Sequence, residues 1–217
     1  MNRAKEQMSS RRITRETIPP FEANAVDLSG WQILESTLEG LNLRDGRFNH
    51  SRAQDSRLQK LVFDHCVCEQ GHYLQCQFEN LKADSSFFTA GRFSLCRLKE
   101  TVSELSTFGL SVFENCELLK SRMSETAFIG TIWRDCLFRQ ENYNFVRFPS
   151  SAFVRTQFVN CYLRKAIFRQ ATFVNCRFES CQIPETVFHN ARFIDTEFEN
   201  TDLHEAANWD GVQGLDV

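Results

Sequence analysis

The sequence has little of what most chemistry needs. Only 9 of its 217 residues are glycine and 4 are proline, and no glycine-rich loop suited to cradling a phosphate appears. No run approaches 18 apolar residues, which excludes a membrane-spanning helix. Neither sign of charge is in excess: 25 Lys and Arg against 28 Asp and Glu leave −3. That balance argues against a strongly basic nucleic-acid binder and against an acidic tail. Met1 to Arg12 is polar and charged without an apolar stretch, so a cleaved secretory leader is not expected. Tyrosine and tryptophan number 3 each. Against these shortages stand 21 Phe and 9 Cys, in a chain of mean hydropathy −0.37. A mostly polar chain with so many rings has to place them regularly, so repeats are the first pattern to seek.

Counted in fives from Leu28 to Leu203, an apolar residue returns at every step but one, over 36 positions without insertion or deletion. These centres hold 18 of the 21 Phe, and Ser103 is the polar exception. Two residues before each centre lies a second column, where 31 of 36 residues are Gly, Ala, Ser, Thr, Cys or Val. Trp31, Leu41, Leu61, Leu81 and Glu141 depart from it. Eight of the nine cysteines stand in this column, and the ninth, Cys68, is a centre. The other three slots of each five carry most of the charge. Neither a helical nor a plain strand period describes such a pattern. A chain that turns a corner every five residues, with two side chains inward, does. A longer period counts the corners: Cys76, Cys96, Cys116, Cys136 and Cys176 are spaced by multiples of 20, and Leu41, Leu61 and Leu81 by 20. Four fives per coil therefore stack like residues on like, as parallel strands of successive coils would.

Stretches such as Ala171-Thr172-Phe173-Val174-Asn175, Cys176-Arg177-Phe178-Glu179-Ser180 and Thr201-Asp202-Leu203-His204-Glu205 resemble the pentapeptide-repeat proteins. Their motif is a small residue, any residue, Leu or Phe, then two polar residues. The resemblance covers about residues 26–205. It implies an all-β fold, a right-handed four-sided parallel β-helix of about nine coils, on the order of 40 Å long. Residues 1–25 then form an N-terminal cap or flexible segment, and 206–217 a short C-terminal cap or tail. The open ends of a β-helix expose unpaired strand edges. Ile13, Ile18 and Phe21 at one end, and Trp209 and Leu215 at the other, are the apolar cover available. Pro149 and Pro184 each follow a centre and read as corner turns.

Cysteine raises the question of a metal or redox site, and His65-Cys66-Val67-Cys68 with His72 and Cys76 is the tightest cluster. Tetrahedral zinc needs four ligands converging on one point. The register sends these thiols inward and both histidines outward, so no metal, cofactor or disulfide is expected, and the thiols read as small core fillers in a reducing cytoplasm. His50, His65, His72, His189 and His204 all take outward slots without a triad partner. A rod with a filled interior offers no pocket, and an enzyme is not expected.

Binding should then use outward slots. Val112, Ile132, Val154, Val174 and Ile194 on one face, with Ile129 and Ile167 on the preceding one, form a candidate partner-binding patch. β-branched residues also favour exposed strand positions without any partner. A second candidate is a repeat-defect site on one face: Ser103 lacks a large side chain, and two coils on, Glu141, Tyr143 and outward Phe145 break the motif. A bulge that re-aims side chains there and ordinary repeat degeneracy are both open.

Some pentapeptide-repeat proteins imitate DNA in shape and charge, bind type II topoisomerases such as gyrase, and protect them from quinolones or toxins. Those are strongly acidic dimers joined through a C-terminal helix. Here the repeat span carries 20 basic and 23 acidic residues, and Arg47, Arg52, Arg57, Arg92, Arg97 and Arg192 point outward. The favoured expectation is a non-catalytic, cytoplasmic protein-binding rod: a bacterial adaptor, secretion-associated or effector-like protein, with non-classical secretion left open. Its protein partner is not named by the sequence. Self-association through the apolar face or coil ends is part of this expectation, while direct nucleic-acid contact and membrane insertion are not.

Overall fold

The computed structural model describes residues 11–215. Within them the chain winds into a four-sided solenoid of about nine turns. Ten parallel strands make the first face, from Arg12–Thr14 to Arg192–Ile194, and ten the second, from Thr17–Ile18 to Glu197–Glu199. Seven make the third, from Phe21–Asn24 to Asn142–Asn144. Beyond that, single bridges from Asn142 to Tyr162 and on to Gln182 continue it. The fourth face is held by single bridges throughout, such as Phe87 to Thr107 to Ala127. Partners in the three sheets lie 20 residues apart, for example Phe93 opposite Phe113 and Phe158 opposite Phe178.

The corners explain the five-residue period. Every residue whose number is a multiple of five from 25 to 200 has positive φ, and all but Gly30, Gly40 and Gly130 are not glycine. A left-handed residue crowds its own Cβ, and β-branched residues suffer most. No Val, Ile or Thr occupies these slots. Pro149 and Pro184 sit one residue earlier, in the turns that lead into left-handed Ser150 and Glu185. Proline's fixed φ suits that place.

The solenoid begins before the register read from Leu28. Ile13, Ile18 and Ala23 are buried inward residues of a preceding coil, and their strands pair in register with the next coil. Residues 11–25, set apart in the sequence as a cap, thus share the solenoid's architecture. Residues 1–10 lie outside the described residues. Pro20 masks the continuity, because it stands in a corner slot where its ring forbids positive φ. At the other end, Thr201–Glu205 was expected as a last repeat. Its Leu203–Glu205 segment is instead a 3-10 turn, capped by Asp202, which accepts from the His204 N–H at 2.9 Å. The turn absorbs one residue, so Val187 bridges Asn208 and Arg192 bridges Gln213, 21 apart. Trp209 then stacks on Phe188 at 4.6 Å.

The interior is a column of rings. Successive rings on one face lie nearly parallel, as in Phe93–Phe113 at 4.6 Å and Phe158–Phe178 at 4.5 Å. Rings on neighbouring faces meet edge to face, as in Phe168–Phe173 at 5.5 Å. Both are favoured arrangements of aromatic quadrupoles. The N-terminal half is more aliphatic and holds an apolar internal cavity of about 20 Å³ lined by Leu58, Leu61, Phe63 and Leu81 among others. Leu61 fills a coil whose other centres include Ala53 and Cys68, so the volume swap runs round the whole coil rather than within one repeat.

The small inward column does more than leave room. Its hydroxyls and thiols give a second hydrogen bond to carbonyls at and below the corners: Ser86 Oγ to Asp84 O at 2.9 Å and Phe63 O at 3.2 Å, Cys116 Sγ to Phe93 O at 3.3 Å and Glu114 O at 3.4 Å. Asp84 O and Glu114 O also accept the His65 and Leu95 N–H groups. Ser86 Oγ also accepts from the Cys66 N–H at 3.0 Å. Each such residue ties its own corner to the coil before it, which a purely apolar filler could not do.

Candidate interaction surface

All nine thiols are buried and free. Cys66 faces inward and donates to Leu43 O at 3.1 Å, while His65, exposed, binds Asp64 Oδ1 through Nδ1 at 2.7 Å. Burial pushes the Cys66 and Cys68 thiols up, keeping them protonated. Among the described residues no three His, Cys, Asp or Glu side chains gather to hold a metal ion. No helix of the described chain is long and apolar enough to cross a membrane.

The two repeat defects are regular strands, not bulges. Val102–Glu104 and Asn142–Asn144 pair in unbroken register through Arg122–Ser124. Ser103 is buried, and its hydroxyl accepts from Thr126 Oγ1 at 3.1 Å. Glu141 is buried too, with both carboxyl oxygens held by the Ser121 N–H at 3.2 and 3.3 Å. Burial pushes its carboxyl up to about 8, against the hydrogen bonds, which lower it. Tyr143 is likewise buried, and its hydroxyl and that of Ser121 are turned toward the Glu141 carboxyl, on whose pKa both act downward. Only Phe145 of this group is exposed, with Lys165 Nζ 5.2 Å from its ring centre.

The apolar residues singled out by sequence fall into separate places. Val112 and Ile132 stack in register on the first face, as do Val154, Val174 and Ile194 one column over. These five are half-buried. Ile167 is half-buried on the fourth face, where Ile129 is exposed. The sequence reading missed the most exposed apolar residues of this region: Leu110 at 71%, Leu105 at 57% and Phe87 at 51%. Phe87 carried a signal, being one of three Phe outside the ladder of centres. Leu105 and Leu110 are corner residues, and corners had been read only as polar slots.

Charge is unevenly laid on the first face. Arg52, His72 and Arg92 stack in register along its N-terminal half, all exposed, beside an open groove of about 470 Å³ that Leu74 also lines. The same column becomes Val112, Ile132 and Ala152 in the C-terminal half. Arg47, Arg57, Arg97 and Arg192 are exposed as well.

Comparison with known proteins agrees with this architecture. HetL, a pentapeptide repeat protein involved in heterocyst differentiation regulation from the cyanobacterium Nostoc sp., superposes with a TM-score of 0.65 at 10% identity, covering 95% of this chain and 93% of that one. A trypsin-treated variant of QnrB1, a plasmid-mediated fluoroquinolone resistance protein, superposes with a TM-score of 0.58 at 11% identity, covering 93% and 88%. The family model described as the SV2A/B/C luminal domain matches residues 142–212, about a third of the chain. No curated protein matches the sequence. Ring ladder, left-handed corners and these neighbours converge on one fold, a four-sided parallel β-solenoid like that of the pentapeptide-repeat proteins.

Proposed function

We propose that this protein is a non-catalytic protein-binding rod. The observation that carries this reading is a pair of apolar ladders on the first face, Val112, Ile132 and Ala152 in one column and Val154, Val174 and Ile194 in the other. They meet at the Ala152–Val154 strand and are bordered by Glu114, Arg134 and Arg192. Chemistry needs a cleft that gathers reactive groups, and side chains fill the interior of this rod. A flat strand face with two apolar ladders is suited to a protein surface. The test is affinity capture with wild-type protein and with Val174→Lys, whose half-exposed site accepts a charged head in solvent. Partners recovered by the wild type should be lost by the variant at unchanged circular dichroism. Equal recovery would remove this face from the reading.

A second reading is a DNA mimic that binds a type II topoisomerase. The fold shared with a fluoroquinolone resistance protein favours it. The exposed Arg52, His72 and Arg92 ladder opposes it, because a phosphate mimic requires the other sign. In a gyrase supercoiling assay with quinolone, protection at micromolar protein would establish this second reading, and no effect would retire it.

A further inference from the structure

Between its corners the middle of the fourth face is an apolar field without charge, whose shape matches itself; exposed Glu125 stands at the corner of the third rung where the central rung has Leu105. Three successive coils cross it, and their outward side chains form a grid. The first rung carries Phe87, Thr89 and Ala90, the second Thr107, Gly109 and Leu110, the third Ala127, Ile129 and Gly130. The bridges from Phe87 to Thr107 to Ala127 fix the stacking of one column. Gly109 lies between Thr89 and Ile129 in the next: a Cβ built on it would sit 3.8 Å from Thr89 Cγ2 and 3.6 Å from Ile129 O. Each rung has one large side chain, and each stands in a different column.

We infer that this face docks a second copy of the chain, with the two rods antiparallel about a two-fold axis lying along the central rung. Such an axis sets the first rung against the third and the second against itself. Phe87 then faces the hollow over Ala127 of the other copy, a side chain only 3% exposed in its own rod, and Ile129 faces Thr89. Knob meets hollow at both places, with Gly109 against Gly109 at the centre. Leu105 and Leu110, 57% and 71% exposed at the two corners of the central rung, each meet their own counterpart. A two-fold parallel to the rods instead inverts the columns within each rung, and along the Gly109 column it drives Ile129 onto Ile129, large against large.

Charge at the rim follows the same axis. One coil before the grid stands exposed Glu69, and one coil after it exposed Arg147, neither in an ion pair. The antiparallel arrangement brings Glu69 of one copy beside Arg147 of the other, twice over. Five rungs with three outward residues each give fifteen residues a side, short of the roughly 20–30 of a standard-size interface, so the pair is a weak one that forms at high concentration. The field lies on a different face from the partner-binding ladders and stands without that reading.

Sedimentation velocity on the full chain over a wide concentration range reads the association. The wild type should form a species of twice the monomer mass. Leu110→Lys, exposed and placing like charges face to face, should weaken it at least tenfold at unchanged circular dichroism. Geometry is read by single cysteines, since the native thiols are all buried. With oxidised glutathione, Leu110→Cys should give a disulfide-linked dimer, and exposed Leu95→Cys, one face away, should not. A monomer at every concentration, a dimer indifferent to Leu110→Lys, or crosslinking through Ile129→Cys instead of Leu110→Cys would each overturn the arrangement.

Discussion

Among the described residues, Glu141 carries the only carboxyl buried in the interior, and its protonation sets a pH dependence. Burial raises its pKa from 4.5 to about 8 in the folded chain. The folded state thus holds a proton that the unfolded state gives up, and stability falls as pH rises from 4.5 to 8. Below that window the group contributes no penalty. Above it the loss is on the order of 5 kcal/mol. Glu141→Gln keeps an acceptor for the Ser121 N–H and removes the titration. Urea unfolding at pH 5 and pH 8.5 should show a drop in the wild type that the variant lacks. Parallel profiles would mean the carboxyl reaches solvent. The corner residues allow a second test at this scale. Leu95 has φ 54 and is 54% exposed, so its backbone, not its packing, decides what fits. Leu95→Asn should stabilise by about 0.5 kcal/mol and Leu95→Val destabilise by on the order of 1 kcal/mol. Equal melting curves for the two would show that the corner is not strained.

Between residue and rod, the working element is one five-residue side of a coil, and it was readable in sequence because each slot has its own physical demand. The centre must be large and apolar, and Leu28 to Phe198 obey that demand, with small residues such as Ala53, Ala83 and Ser103 offset by neighbours. The small column was read as filler, which captured volume and missed hydrogen bonding. No periodicity in sequence reveals that Ser86 or Cys116 donates to a carbonyl across the coil, since serine and cysteine are also simply small. Cys116 separates the two descriptions. Its thiol reaches Phe93 O and Glu114 O, so Cys116→Ser preserves a donor and should be close to neutral. Cys116→Val fills the space without donating and should cost about 1 kcal/mol by urea unfolding. If valine proved as good as serine, the column would be filler after all. The exposed field on the fourth face was hidden for a related reason. Corner slots tolerate many residues, so Leu105 and Leu110 break no rule when read singly. They become a surface only when stacking sets them beside Phe87 and Ile129.

At the scale of the whole molecule, a solenoid's stability is a chain of nearest-neighbour terms, and its ends have one neighbour fewer. Ring stacking carries the core upward from Phe93 without interruption on the first face, and on the fourth it ends at Phe188 under Trp209. That indole stacks on Phe188 at 4.6 Å, lies 6.5 Å from the Phe198 ring centre, and donates Nε1 to Leu203 O at 3.1 Å. One side chain thus covers the last rings and pins the 3-10 turn that steps the register to 21. Trp209→Phe keeps the stack and loses the hydrogen bond, while Trp209→Ala loses both. Hydrogen exchange should therefore show protection of Phe193 and Phe198 amides falling slightly in the first variant and at least tenfold in the second. Amides near Phe113, four coils away, should exchange as in the wild type, because each coil feels only its neighbours. Uniform loss along the rod would instead make the solenoid a single cooperative unit, and no loss at Phe193 would mean that Trp209 covers nothing the last coil needs.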